Sequence, residues 1–174
     1  MPSSPVHSAA VIHFTMWLEG TALSVWVREA QTLLAFPFIL TVHAWGMGLL
    51  AGSNAAVDLR IVGFAPRVPL TAMQKFYPVM WFGFVINAIS GLLLLIGYPT
   101  KALTNPDFYL KLGCIAAGMV LMNWLRRRVV RSGKAPSGQG KAIAVLSLLM
   151  WAGAIISGRL LAYTCTYLLW DVRC

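Results

Sequence analysis

His43 stands inside a long apolar run, FPFILTVHAWGMGLLAGSNAAV (Phe36–Val57), and is the only one of the three histidines so placed. An imidazole at membrane depth is costly unless something binds it. Imidazole is also a common ligand for haem iron and for copper. At helical rise His43 lies about 9 Å inside the outer end of its run. Gly46 follows one turn on, on the same face, where a missing side chain leaves room for a flat macrocycle. The other reading gives His43 a hydrogen bond to Asn87, Ser90 or a backbone carbonyl in a neighbouring span. Residue type and spacing leave both readings open.

Two cations belong to the same level. Lys111 is about one turn inside the third apolar run, and Arg159 about one turn inside the outer end of the fourth. Turned inward, either would bind an anion near His43, such as a haem propionate, a quinol headgroup or a substrate carboxylate. Turned outward, long cations near helix ends snorkel to the headgroups. Arg159 is the stronger inward candidate, because small residues precede it in SGR and its planar fork suits a carboxylate. A second histidine within a span is missing. A haem here would therefore be five-coordinate, ligated by His43 and a methionine (Met47, Met80, Met119, Met122 or Met150), or shared between chains. No phosphate-binding glycine loop, CxxC, HExxH or paired intramembrane carboxylates occur.

The elements that must position these residues are legible in the composition. The chain of 174 residues is 59% hydrophobic and 11% charged, against about 25% charged in soluble proteins. Four apolar runs, about 37–57, 77–97, 107–125 and 142–163, are each near the roughly 20 residues that a bilayer core requires. They predict an all-α fold: an integral membrane four-helix bundle forming a single membrane domain. Residues 10–31 repeat polar groups at helical spacing (His13, Gly20, Ser24, Arg28, Gln31), which predicts an amphipathic helix in the membrane interface. The alternative is an extra helix packed on the bundle. Ala44, Gly48 and Gly52 form a small-residue stripe expected to pack against another helix. Asp58 and Arg60 fall just past the end of the first span, as a surface ion pair or a lock between loops. With no acid deep in a span, an intramembrane proton relay is not expected. The start, MPSSPVHSAAVIHF, lacks a basic region before an apolar core and is expected to be retained.

The net charge of +9 sits in loops between apolar runs. It therefore sets topology and does not point to nucleic acid. Arg126, Arg127, Arg128, Arg131, Lys134 and Lys141 crowd one loop, and Arg60, Arg67 and Lys75 another on the same side. The positive-inside rule then places both termini on the periplasmic side of a bacterial inner membrane. Cys165 and Cys174 fall at that oxidising face and are expected to form a disulfide, unless the last helix runs on to Trp170 and holds the thiols apart. Cys114, inside a span, reads as a packing residue.

The segments WLEGTALSVWVREA, HAWGMGLLAGSNAAVDLRIVG, NPDFYLKL and WAGAIISGRLLAY resemble an uncharacterised family of small bacterial four-span membrane proteins, over nearly the whole chain. The resemblance implies a fold and no established activity. A second resemblance rests on His43 with its downstream glycine and on Phe108, Lys111 and Leu112. It is to the copper resistance protein D family and to the membrane-bound protoporphyrinogen oxidase family, whose members bind b-type haem. It implies His43 as a metal ligand and Lys111 beside it, although Asn123 stands where many of those relatives carry a histidine. The leading expectation is a haem-b-binding redox subunit passing electrons between periplasmic partners and the quinone pool. His43 would bind the iron, with Arg159 and Lys111 on the propionates. The alternatives are a non-catalytic anchor for other membrane or periplasmic subunits or for further copies of the chain, and a porter for copper or a small solute.

Overall fold

The computed structural model describes residues 9–30, 35–133, 135–163, 166–168 and 171–173. Among these residues seven α-helices follow in order: α1 (Ala9–Glu19), α2 (Ala22–Glu29), α3 (Phe36–Val62), α4 (Phe76–Gly97), α5 (Pro99–Leu103), α6 (Pro106–Leu125) and α7 (Gly138–Tyr163). A 3-10 turn, Leu70–Lys75, leads into α4, and a π-helical turn, Arg126–Val130, ends α6. The only β-structure among the described residues is a ribbon of Thr166–Leu168 and Asp171–Arg173, paired antiparallel with Thr166 opposite Arg173. The last helix therefore stops at Tyr163 and does not run on to Trp170.

Among the described residues four helical stretches are long and apolar enough to cross a membrane: Phe36–Val62, Leu70–Gly97, Pro106–Val130 and Gly138–Tyr163. The chain is accordingly a multi-pass membrane protein built on a helical bundle. Its outward surface is oily, with Trp45, Phe82, Ile89 and Val120 all more than half exposed, as a lipid-facing surface requires. Pro37 and Pro106 sit in the first turns of α3 and α6, where the missing N–H has no partner to lose. The Asn105 side chain caps α6 by accepting from the Asp107 N–H at 2.9 Å.

Helices α3 and α4 touch backbone to backbone. A Cβ on Gly46 would stand 2.8 Å from the Asn87 nitrogen and 3.0 Å from the Gly83 carbonyl oxygen; a Cβ on Gly83 would meet the Leu50 nitrogen at 2.8 Å. Small residues allow this approach, which dispersion then rewards. It is not made by the expected stripe: Ala44, Gly48 and Gly52 are exposed, and a Cβ on Gly48 or Gly52 would meet nothing within 4 Å. The packing face lies to one side of it, at Gly46, Leu50, Asn54 and Val57. Helices α6 and α7 pack through Gly118 against Trp151 and Gly153 against Cys114. Cys114 is a free, half-buried thiol in that seam.

The amphipathic segment is two short helices with a break at Gly20–Thr21, capped by the Thr21 hydroxyl, which accepts from the Ser24 N–H. The pair packs on the end of the bundle where α4 stops. Val27 is fully buried there against Gly97. Arg28 donates to the Ser24 hydroxyl, the Gly97 carbonyl and the Glu19 carbonyl. Trp17 and Trp26 remain exposed beside it. The polar face predicted from spacing thus splits: Ser24 is buried and Arg28 grips the bundle, while His13 and Gly20 stay exposed. Gln31 lies outside the described residues.

Candidate functional site

His43 points from α3 into the seam between α4 and α6. Its Nδ1 is 3.0 Å from the Ser90 hydroxyl of α4, and its Nε2 is 3.3 Å from the Lys111 ammonium of α6. The Ser90 hydroxyl donates to the Ile86 carbonyl at 2.6 Å, with a longer contact to the Asn87 carbonyl. Its single proton is thereby committed to backbone, so toward His43 it accepts. Nδ1 therefore carries the imidazole hydrogen, and Nε2 presents its lone pair to Lys111. The direction of the whole chain, Lys111 to His43 to Ser90 to Ile86, is set by the backbone carbonyl at its end.

The surrounding helices hold the ring in place. Asn87 donates to the His43 backbone carbonyl at 2.9 Å. The glycine that makes room for the ring is Gly91 on α4, whose Cβ would stand 3.0 Å from His43 Cε1. Gly46 has a different role from the expected one: it is buried against Gly83 and Asn87 and leaves no space for a macrocycle. On the far side Gly158 of α7 leaves space for the Lys111 stem, 3.6 Å from where its Cβ would be.

This pair forms the floor of a cavity of about 410 Å³ at the α1–α2 end of the bundle, within the size range of small-molecule sites. Phe36, Leu40, Leu94, Leu95, Phe108 and Leu161 make its apolar walls, and Tyr98 and Lys101 stand at its rim. Lys101 reaches across to the Ala162 carbonyl at 3.0 Å. It is a lining cation that sequence reasoning missed, because it belongs to the short helix α5 and not to a span. Arg159, expected inward, is exposed on α7 and does not line the cavity. Cys165 and Cys174 lie outside the described residues.

A haem would have to compete with this arrangement. Iron at Nε2 must displace Lys111, and the lining residues hold no second histidine, methionine or cysteine as an opposite ligand. Among the described residues no three His, Cys, Asp or Glu side chains gather as a metal site. What the floor offers as it stands is a hydrogen-bonding, positively charged spot at the base of an apolar chamber. That chemistry suits a ligand with a carbonyl or anionic oxygen on an apolar body.

Asp58 also departs from expectation. Helix α3 continues to Val62, so Asp58 falls inside it and is fully buried. Arg60 does not pair with it but donates to the Val68 and Pro66 carbonyls, pinning the loop that follows α3. The expected span ends at Val57; α3 runs on to Val62 and carries Asp58 into the packed interior. No family model, no curated protein and no solved structure matches this chain.

Proposed function

We propose that this chain is a quinone-binding subunit of a membrane redox assembly. The observation that carries the reading is the Lys111–His43 pair at the floor of an apolar cavity walled by the ends of four spans. A quinone head needs hydrogen-bond donors at its carbonyl oxygens and an apolar route for its tail. Lys111 has spare ammonium hydrogens for one carbonyl beyond the one directed at His43. Lys101 offers a second cation at the rim. The chain ending at the Ile86 carbonyl has no onward acceptor, so His43 serves to orient Lys111 and does not carry protons away. Electrons would pass to or from a partner subunit docked on the same end.

The loops support an orientation for this reading. Arg60, Arg67, Lys75, Arg126, Arg127, Arg128, Arg131 and Lys141 all lie at the end opposite the cavity. By the positive-inside rule that end is cytoplasmic and the cavity faces the periplasmic leaflet of a bacterial inner membrane.

The test is direct. Quinone should co-purify with the detergent-solubilised chain, and a short-chain ubiquinone analogue should bind saturably by calorimetry, weakened in Lys111→Met. Absence of both defeats the proposal. An oxidised and a dithionite-reduced absorption spectrum of the same sample serves the haem reading: a Soret band lost in His43→Ala would show that Lys111 gives way to iron.

A further inference from the structure

A second polar centre lies at the other end of the bundle, independent of the cavity. Asp58 sits about 6 Å before the end of α3 and is 0% exposed. Its Oδ2 accepts from the Asn54 amide, which also donates to the Ser147 hydroxyl of α7 at 3.0 Å. Its Oδ1 is buried without a hydrogen-bond partner. So are the Tyr77 hydroxyl of α4 and the Trp151 Nε1 of α7, residues 1% and 3% exposed. Asp58 is close enough to Tyr77 for its charge to act on the hydroxyl. Trp151 is one turn beyond Ser147 on the same helix.

Buried polar atoms are nearly always hydrogen-bonded, and polar interior gaps are filled by water. Here α3 and α4 bring together an orphan acceptor, Asp58 Oδ1, and a hydroxyl that can both donate and accept, while the Trp151 Nε1 lies against Gly118 of α6. A carboxyl joined to water in that way is a unit able to gain and lose a proton. The charged groups around it leave the carboxyl without a direct counter-ion. From the end of α6, Arg126 faces the cluster but lies over the Tyr77 ring, 4.9 Å from its centroid. Arg60 is held by loop carbonyls. Lys75, Arg127, Arg128 and Lys141 are exposed. Beside the cluster, α6 ends in the π-helical turn whose Val129 and Val130 are buried; such turns recur at functional positions.

We infer that Asp58 is a proton-exchanging carboxyl inside the membrane, reached from the basic-loop end through water held by Tyr77. On uptake an O–H bond forms at Oδ1 as an O–H bond of the neighbouring water breaks. That water is restored from the solvent side, and the charge of the site changes by one.

The full chain in liposomes is treated with dicyclohexylcarbodiimide, which adds to protonated carboxyls in apolar surroundings, in buffers from acidic to alkaline. Peptide masses locate the adduct. The expected result is an adduct on Asp58 that declines as pH rises and is unchanged when sodium replaces choline at fixed ionic strength. Tyr77→Phe should move the pH midpoint of labelling. Protection by sodium would overturn the proton assignment in favour of a monovalent cation. A labelling yield independent of pH, or an unlabelled Asp58 peptide recovered under every condition, overturns it as well. Infrared difference spectra between acidic and alkaline buffer provide a second measurement on the unmodified protein. A carboxylic C=O band should appear and be missing from Asp58→Asn; a band that persists in that variant assigns the exchange elsewhere.

Discussion

Lys111 Nζ and His43 Nε2 lie 3.3 Å apart although they belong to helices α6 and α3, and the lysine is the donor of that contact. The donor assignment rests on Ser90, whose hydroxyl proton is committed to backbone carbonyls. Nitrogen-15 spectra of histidine-labelled protein should therefore show Nδ1 protonated and Nε2 unprotonated. Lys111→Met should shift the Nε2 resonance and leave the Nδ1 proton in place. The reverse tautomer would undo the argument for an oriented Lys111.

Ligand binding should divide between the two partners. Lys111→Met removes the charged donor and is expected to weaken binding of the short-chain quinone about tenfold to a hundredfold, the worth of one charged hydrogen bond. Gly91→Ala should weaken it less, because a Cβ 3.0 Å from His43 Cε1 displaces the ring by only a few tenths of an ångström. Arg159→Ala should leave it unchanged, since Arg159 is exposed outside the cavity. Calorimetric titration of the three variants checks the order.

Two glycines about half a turn apart, on opposite sides of α3, should behave differently. Gly46→Ala forces a methyl to within 3.0 Å of backbone on α4 and is expected to cost about 1–3 kcal/mol, as overpacking does. Gly48→Ala meets nothing within 4 Å and should be neutral in comparison. Thermal unfolding in detergent, followed by circular dichroism, compares them.

Arg28 should anchor the α1–α2 pair. Arg28→Ala removes its bonds to the Glu19 and Gly97 carbonyls and is expected to cost about 2 kcal/mol locally. Limited proteolysis should then cut near Gly20–Thr21 while the four spans stay protected. Equal resistance to cleavage in both proteins would show that Val27 alone holds the segment.

The C-terminal ribbon pairs Thr166 with Arg173, and Cys165 and Cys174 flank it in sequence. A disulfide between them is expected if that end faces the periplasm. Intact mass after alkylation without reductant should show Cys114 as the one reactive thiol. In the same orientation, a cytoplasm-dependent reporter should be active after Ser137 and silent after Cys174.

Much was decided by the sequence alone. Four apolar runs near bilayer length, with most of the charge in loops, allow no other class of fold, because unpaired backbone is too costly in lipid unless it closes on itself as helix. The same logic marked His43 and Lys111, since an ionisable group in a span must be accounted for. Its limit was rotation and register. One residue along a helix turns a side chain by about 100°, so Gly158 faces Lys111 while Arg159, next to it, faces out. The partner of Gly46 is Gly83, on another helix at a height that only the α3–α4 register sets. Asp58 became a buried residue because α3 continues to Val62 and α7 brings Ser147 beside it. Periodicity along one segment carries no information about which face of a neighbour it will meet. That was decided by close packing of four helices, where glycines let backbones touch and each contact fixes the height of the next.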